Sequence, residues 1–248
     1  MLKNKDVVYI LREGKNEELV HSIRSVEKNF PHNRIVFVGG KPDGLSPDLW
    51  IKANQTSDKW NNAQDLIKLA CLDDRLTKEI ILFNDDFFVI KPVEKLPIYV
   101  NKTLPDLAQL VTHGGRRESE YITKRIMPCI RKLKANSLPL RNYELHIPMS
   151  IDRKKMLEIY KRFNSPEAKR SFYGNYYHLR GIEIDPLKMD DGSVQKINGR
   201  LKKERTFIST TDYSWKGEAG EELKQMFPIP SKYELVKNQK IIYNEYIK

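Results

Sequence analysis

Asp85 and Asp86 follow the apolar run EIILF (Glu79–Phe83) and are themselves followed at once by Phe87, Phe88, Val89 and Ile90. Adjacent carboxylates in so apolar a setting repel each other and are costly to desolvate. A divalent cation offsets both effects. One or two carboxylates together with a substrate's phosphates make the usual Mg²⁺ or Mn²⁺ arrangement. The plainer alternative is a turn in which either aspartate caps the backbone, as Asp73-Asp74 is expected to do. A second group lies in YELHIPM (143–149), where Glu144 and His146 share one face if the segment is extended. That pair can take a proton from a hydroxyl, or His146 can ligate a metal; a hydrogen-bonded structural histidine is the alternative. Asp212, in the run Ser209-Thr210-Thr211-Asp212, is a candidate base or a helix cap. His113 and His178 are further candidates, while His21 and His32 read as surface residues.

The elements that must position these groups are legible from periodicity. Strands are expected over Asp6–Leu11, 34–38, 50–53 and Glu79–Phe83. Helices are expected over Glu17–Asn29, with Leu19, Val20, Ile23 and Val26 on one face, and over 61–72, with Ala63, Leu66, Ile67 and Ala70 inward. Alternation of strand and helix over about 85 residues implies a mostly parallel sheet covered on both faces. In such sheets ligands bind beyond the carboxyl ends of the strands. Arg12-Glu13-Gly14 and Asn84-Asp85-Asp86 both lie there. Further on, 118–134 reads as a helix, 143–149 as a strand ending at Pro148, and 152–163 as a helix begun by Asp152. The aromatic cluster Phe172, Tyr173, Tyr176 and Tyr177 reads as core, with a sugar-stacking platform as the alternative. Residues 185–204 read as loop, 205–209 as a strand and 218–227 as a last helix.

These blocks resemble those of the Stealth-like and related GT-A-type sugar-transfer proteins. The first is DVVYILREGKNEELVHSIRSVEKNFP, with Arg24 and Ser25 in its helix. The second is FNDDFF, a strand ending in an asparagine and paired aspartates. YELHIPM and FISTTDYS resemble later blocks. The likeness covers residues 6–93 and patches of 143–230. Where Stealth members usually carry a Trp-Val-Asp-Gly-like stretch, this chain has Leu11-Arg12-Glu13-Gly14, which favours ordinary glycosyl transfer over sugar-1-phosphate transfer. The resemblance implies an α/β, GT-A-like (Rossmann-like) sheet and a nucleotide-diphosphate sugar donor, most often a uridine diphosphate sugar. It implies Mn²⁺ or Mg²⁺ held by Asp86 and Asp85, with Asn84 in place of the first aspartate of an Asp-x-Asp motif. Arg12 and Glu13 would lie beside the nucleotide. Arg24 would reach the diphosphate with its bidentate fork, unless it is a surface arginine near Glu27. Lys59, Asn61 and Asn62 would contact the donor sugar or cap their helix. Glu144, His146 or Asp212 would activate the acceptor hydroxyl.

The bulk numbers set the frame. The chain's 248 residues, 40% of them hydrophobic, suit one α/β domain or two closely packed halves. A donor-binding half at 1–115 and a smaller, more irregular basic half at 116–248 are expected to form one unit. No stretch reaches the roughly 18–20 apolar residues that span a bilayer. The start, MLKNKDVVYIL, reads as a first strand and not as a signal peptide. Cys71 and Cys129 sit among apolar neighbours and read as buried thiols in a reducing compartment, so a cytoplasmic protein is expected. The formal net charge is +11. The first 115 residues carry 16 Lys/Arg against 16 Asp/Glu and the remainder 28 against 17, so the excess lies wholly in the second half. Such a half can hold an anionic acceptor such as DNA or a phosphate-rich glycan. Two rivals stand beside glycosyl transfer: a Stealth-type sugar-1-phosphate transferase, and a nucleic-acid-binding module with no enzymatic activity.

Overall fold

The apolar runs of the first half form strands that are buried on both faces. The computed structural model describes residues 1–55, 58–110, 116–164, 166–185, 189 and 205–235. Its elements begin with β1 (Asp6–Leu11), α1 (Glu17–Asn29), β2 (Ile35–Gly39), β3 (Leu49–Lys52), α2 (Lys59–Leu72), β4 (Glu79–Phe83), β5 (Phe87–Val89), β6 (Tyr99–Val100) and α3 (Leu104–Leu110). They continue with α4 (Arg116–Tyr121), a π-helical turn (Ile122–Ile126), α5 (Met127–Ala135), β7 (Met149–Asp152), α6 (Arg153–Phe163) and α7 (Lys169–Tyr176). The last are β8 (Ile182–Glu183), β9 (Phe207–Ser209), α8 (Asp212–Lys216) and α9 (Glu218–Met226).

The main sheet has the order β3-β2-β1-β4-β7. The first four strands run parallel, and β7 closes the edge antiparallel to β4, with Ile80 opposite Ile151 and Leu82 opposite Met149. The α/β class and the mostly parallel sheet expected from the sequence are borne out. Strand side chains alternate between two cores. Val8, Val36, Val38, Ile80 and Leu82 pack with α2, α5, α6 and α7, while Val7, Tyr9, Ile35, Phe37, Ile81 and Phe83 pack with α1 and β5. Covering both faces is why these strands read as continuous apolar runs and not as alternating ones.

The strand order reverses between β1 and β4, because β2 and β3 lie to one side of β1 and the later strands to the other. Gly39 and Gly40, at the end of β2, lie against the exit of β1. A Cβ on either would collide with the backbone carbonyls of Leu11 or Arg12, so glycine allows the close approach that fixes this end of the sheet. At the opposite end of β1, fully buried Asp6 accepts from Arg34 Nη2 at 2.8 Å, Asn33 Nδ2 at 2.8 Å and Thr77 N at 2.9 Å. Burial alone would raise this carboxyl. The bonds from Arg34, Thr77 and Asn33 outweigh it and hold Asp6 below the ordinary carboxylate range.

Two expectations are corrected. Residues 143–148 are not a strand: only Met149 enters β7, and His146 has a φ of 51°, so Glu144 and His146 do not alternate along a sheet. The helix expected at 118–134 is broken by the π-helical turn. The aromatic cluster falls in α7, where Phe172 and Tyr173 are core residues. Cys71 and Cys129 are free and buried, as expected. Most of 185–204, and His113, lie outside the described residues. Among the described residues, no helix is long and apolar enough to cross a membrane.

Candidate functional site

β1 and β4 flank the reversal of strand order, and both end in polar residues. Open α/β sheets bind their ligands in the crevice at this point. Asn84, Asp85 and Asp86 turn the chain from β4 into β5, with Phe87 N donating to Asn84 O at 3.3 Å. The turn is held from two sides. Thr210 N, just after β9, donates to Asp86 O at 3.1 Å, and β9 itself pairs antiparallel with β5. On the other side α1 lies along the free edge of β5 and bonds its backbone through side chains. Ser22 Oγ donates to Phe87 O at 2.5 Å, Val89 N donates to Ser25 Oγ at 3.0 Å, and Asn29 Nδ2 donates to Val89 O at 2.7 Å. A helix thus takes the place of a neighbouring strand and covers an edge that would otherwise be open.

The three residues of the turn face different partners. Asp85 accepts from Asn16 Nδ2 at 2.5 Å, and the same Asn16 caps α1 by accepting from Leu19 N at 3.1 Å. Burial and the adjacent Asp86 charge raise the Asp85 carboxyl, against the Asn16 bond and Arg12, which lower it. Asp86 lies 3.9 Å from His146 Nδ1, and both Asp86 Oδ1 and His146 Nδ1 are buried without a hydrogen-bond partner. Asn84 accepts from Arg170 Nη2 at 3.3 Å.

Glu18, which periodicity placed in α1 as an ordinary helical position, belongs to the site. Thr210 Oγ1 donates to its carboxylate at 3.3 Å. Burial, then the charges of Asp86 and Asp85, push it up to about 7. Its signal in the sequence was an acidic residue in the first turn of the helix that follows β1. That is a common position for helix-dipole reasons alone, so nothing there distinguished it.

A cleft of about 420 Å³ opens beside Asn16, Glu18 and Asp85. It is lined by Arg12, Glu13, Lys15, Glu18, Asp85, Asp212, Trp215 and Lys216 among others. The loop after β1, the start of α1 and α8 contribute its walls. Arg12, Glu13, Asp85 and Asp212 are therefore brought to one cavity, and Asp86 and His146 lie together at the same turn. Asp212 is the first residue of α8, but the cap there is Thr211, in a reciprocal pair with Ser214, which leaves the Asp212 carboxylate exposed. Glu144 accepts from Ser171 N at 3.0 Å, at the start of α7.

Other expected residues are elsewhere. Arg24 is bound by both Glu234 oxygens, at 2.8 and 2.7 Å, and donates to the carbonyls of Phe227 and Pro228 at 3.1 Å. Its fork is occupied by the C-terminal segment, not turned to a diphosphate. The sequence pattern misled because a helical arginine looks the same whichever partner it serves. His21 is not a plain surface residue, since its ring packs against Trp215 at 5.6 Å. Asp58 caps α2, accepting from Trp60 N and Asn61 N. Asn62 stands in that helix's first turn and is not part of the cleft lining. The Lys59 side chain lies outside the described residues.

The donor set suits a hard divalent cation. Among the described residues, no group of three or more His, Cys, Asp and Glu side chains is arranged to hold a metal alone. Two adjacent carboxylates, one with an orphaned buried oxygen, match the kind of Mg²⁺ or Mn²⁺ site that is completed by substrate phosphates and water.

No family model and no curated protein matches the chain. Among solved structures, the glycosyltransferase GlyE of Streptococcus pneumoniae TIGR4, in its apo form, superposes with a TM-score of 0.40 at 9% identity. That superposition covers 91% of this chain, which spans 60% of the length of GlyE. A glycosyltransferase involved in the glycosylation of the major capsid of PBCV-1 superposes with a TM-score of 0.36 at 12% identity, over 90% of this chain and 100% of that one. At these scores the likeness adds nothing to the chemistry, which rests on the residues around the turn.

Proposed function

We propose that the chain is a metal-dependent glycosyltransferase that moves a sugar from a nucleotide-diphosphate sugar, of which a uridine diphosphate sugar is the first candidate, to an acceptor hydroxyl. The observation that carries this reading is the pair Asp85-Asp86 at the carboxyl end of β4, beside the end of β1, where the strand order reverses. Asp86, with its unpartnered buried oxygen, and Asp85 would hold Mg²⁺ or Mn²⁺. The cation when bound would neutralise the diphosphate as it leaves. Arg12 and Lys15, on the wall after β1, supply positive charge where phosphates would lie.

In the transfer, the bond from the anomeric carbon to the diphosphate oxygen breaks, and its electron pair leaves with the nucleotide diphosphate. A bond from the acceptor oxygen to that carbon forms, and the acceptor proton passes to a base. His146, beside Asp86, or Asp212, in the lining of the cleft, would act as that base. Glu144 is less free, since one oxygen already serves the start of α7. Product analysis separates this reaction from sugar-1-phosphate transfer: the glycoside product contains no phosphodiester, and finding one would replace the reading with its Stealth-type rival.

A further inference from the structure

We propose that Arg125 and Arg170, with Lys169 beside them, form an oxyanion subsite on the helix-covered side of Asn84, and that it takes a carboxylate, sulfate or phosphate group carried by the acceptor. That the group is carried by the acceptor rests on the function proposed above; the subsite itself does not.

Three elements supply these groups: the start of α2, bonded by Arg125 through Asp58 and Asn61, the π-helical turn that carries Arg125, and the start of α7 that carries Lys169 and Arg170. The Arg125 side chain is only 11% exposed. Its Nη2 donates to Asn61 Oδ1 at 3.0 Å and to Asp58 Oδ1 at 3.3 Å, and its guanidinium lies 5.6 Å over the Trp60 ring. Arg170 gives Nη2 to Asn84 at 3.3 Å and lies 5.4 Å over Phe87. Both guanidinium groups keep a buried Nε with no hydrogen-bond partner. A buried donor left unmade costs about 1–3 kcal/mol, more on a charged group. Each of these donors is open to a ligand that supplies an acceptor.

Arg125 lies over Trp60, whose ring packs against Tyr121 at 6.5 Å, and Lys169 precedes Arg170 at the start of α7; the charges of Arg125 and Arg170 both act on Tyr121 and Lys169. Burial, opposed by Glu144 and reinforced by Arg170 and Arg125, brings Lys169 down to about 7. Glu144, which already serves Ser171 N, half-exposed Asp58, and Asp65, which acts on Lys169, are the carboxylates that face the three cations. Guanidinium forks match oxyanions in two-point geometry. The π-helical turn that carries Arg125 is a rare distortion that occurs frequently at functional sites. Because Arg170 holds Asn84, the subsite backs directly on the residues that face the cleft.

Sulfate is the probe, since its charge does not change between pH 6 and 8. Its affinity is measured by calorimetry at fixed ionic strength, without nucleotide or metal, on the full chain and on Arg125→Gln, Arg170→Gln, Arg170→Lys and Asp86→Ala. The expected result is binding that weakens at least tenfold in each glutamine variant, recovers in part in Arg170→Lys, and is unchanged in Asp86→Ala. Equal affinity in the wild type and both glutamine variants overturns the subsite. Uridine diphosphate with Mn²⁺ is then added. Simultaneous binding of sulfate and nucleotide assigns the subsite to the acceptor, and displacement of sulfate overturns that assignment in favour of the donor. Sulfate binding without any nucleotide binding would sink the transferase reading and leave the subsite standing.

Discussion

At the scale of single residues, the account turns on which carboxylates stay ionised. Asp86→Ala is expected to abolish cation-dependent turnover while leaving the fold intact, because Asp86 makes no side-chain hydrogen bond that the fold depends on; circular dichroism together with an activity assay checks both halves. Glu18 gives a pH signature in the cation-free protein. Its folded-state value of about 7 lies above its ordinary 4.5, so the folded state keeps a proton that the unfolded chain loses. Stability should therefore fall as pH rises from about 4.5 to about 7, and Glu18→Gln should remove that fall. Allowing for screening of a partly exposed group, the gain at pH 8 is on the order of 1–2 kcal/mol. Denaturant titrations at pH 5 and pH 8 decide it, and an unchanged slope with pH in the variant would contradict the assignment. Asp85-Asp86 was visible in the sequence because its neighbours are so apolar. Glu18 was not, because its pull on the site comes from a fold that sets α1 beside the turn.

At the scale of elements, one residue joins helix and site. Asn16 caps α1 and holds Asp85 with the same side chain. Asn16→Ala should cost about 1 kcal/mol for the lost cap and should also weaken cation binding; Asn16→Ser, which restores a cap without reaching Asp85, should recover the stability alone. Arg24 is the contrasting case. Its side chain is 14% exposed and paired with Glu234 at 15%, so Arg24→Ala should destabilise by about 3 kcal/mol as it strands a half-buried carboxylate. KM for the donor should stay unchanged, whereas a raised KM would restore the diphosphate role that the helix pattern suggested. The helices of the first half were legible from their helical period, and its strands from continuous apolar runs bounded by polar residues. The segment at 143–148 was not, because Glu144 and His146 are placed by α7 and by a left-handed backbone at His146, neither of which leaves a mark in alternation.

At the scale of the whole molecule, the boundary expected near residue 115 is crossed by the sheets themselves. β7 pairs with β4, and β9 pairs with β5. The turn that carries the aspartates is thus braced by residues from both ends of the chain. A fragment comprising 1–115 should not fold alone, and the full chain should unfold in one transition seen alike by fluorescence and by circular dichroism. The excess positive charge all lies after residue 115, a composition that attracts anionic partners. The most direct test of the central claim is a thermal-shift screen of nucleotide-diphosphate sugars, with and without Mn²⁺, on wild type and on Asp86→Ala. Ligand bound only by the folded state raises its stability by mass action. The account predicts a manganese-dependent rise with at least one donor, lost in the variant; a rise that persists in Asp86→Ala, or no rise with any donor, would contradict it.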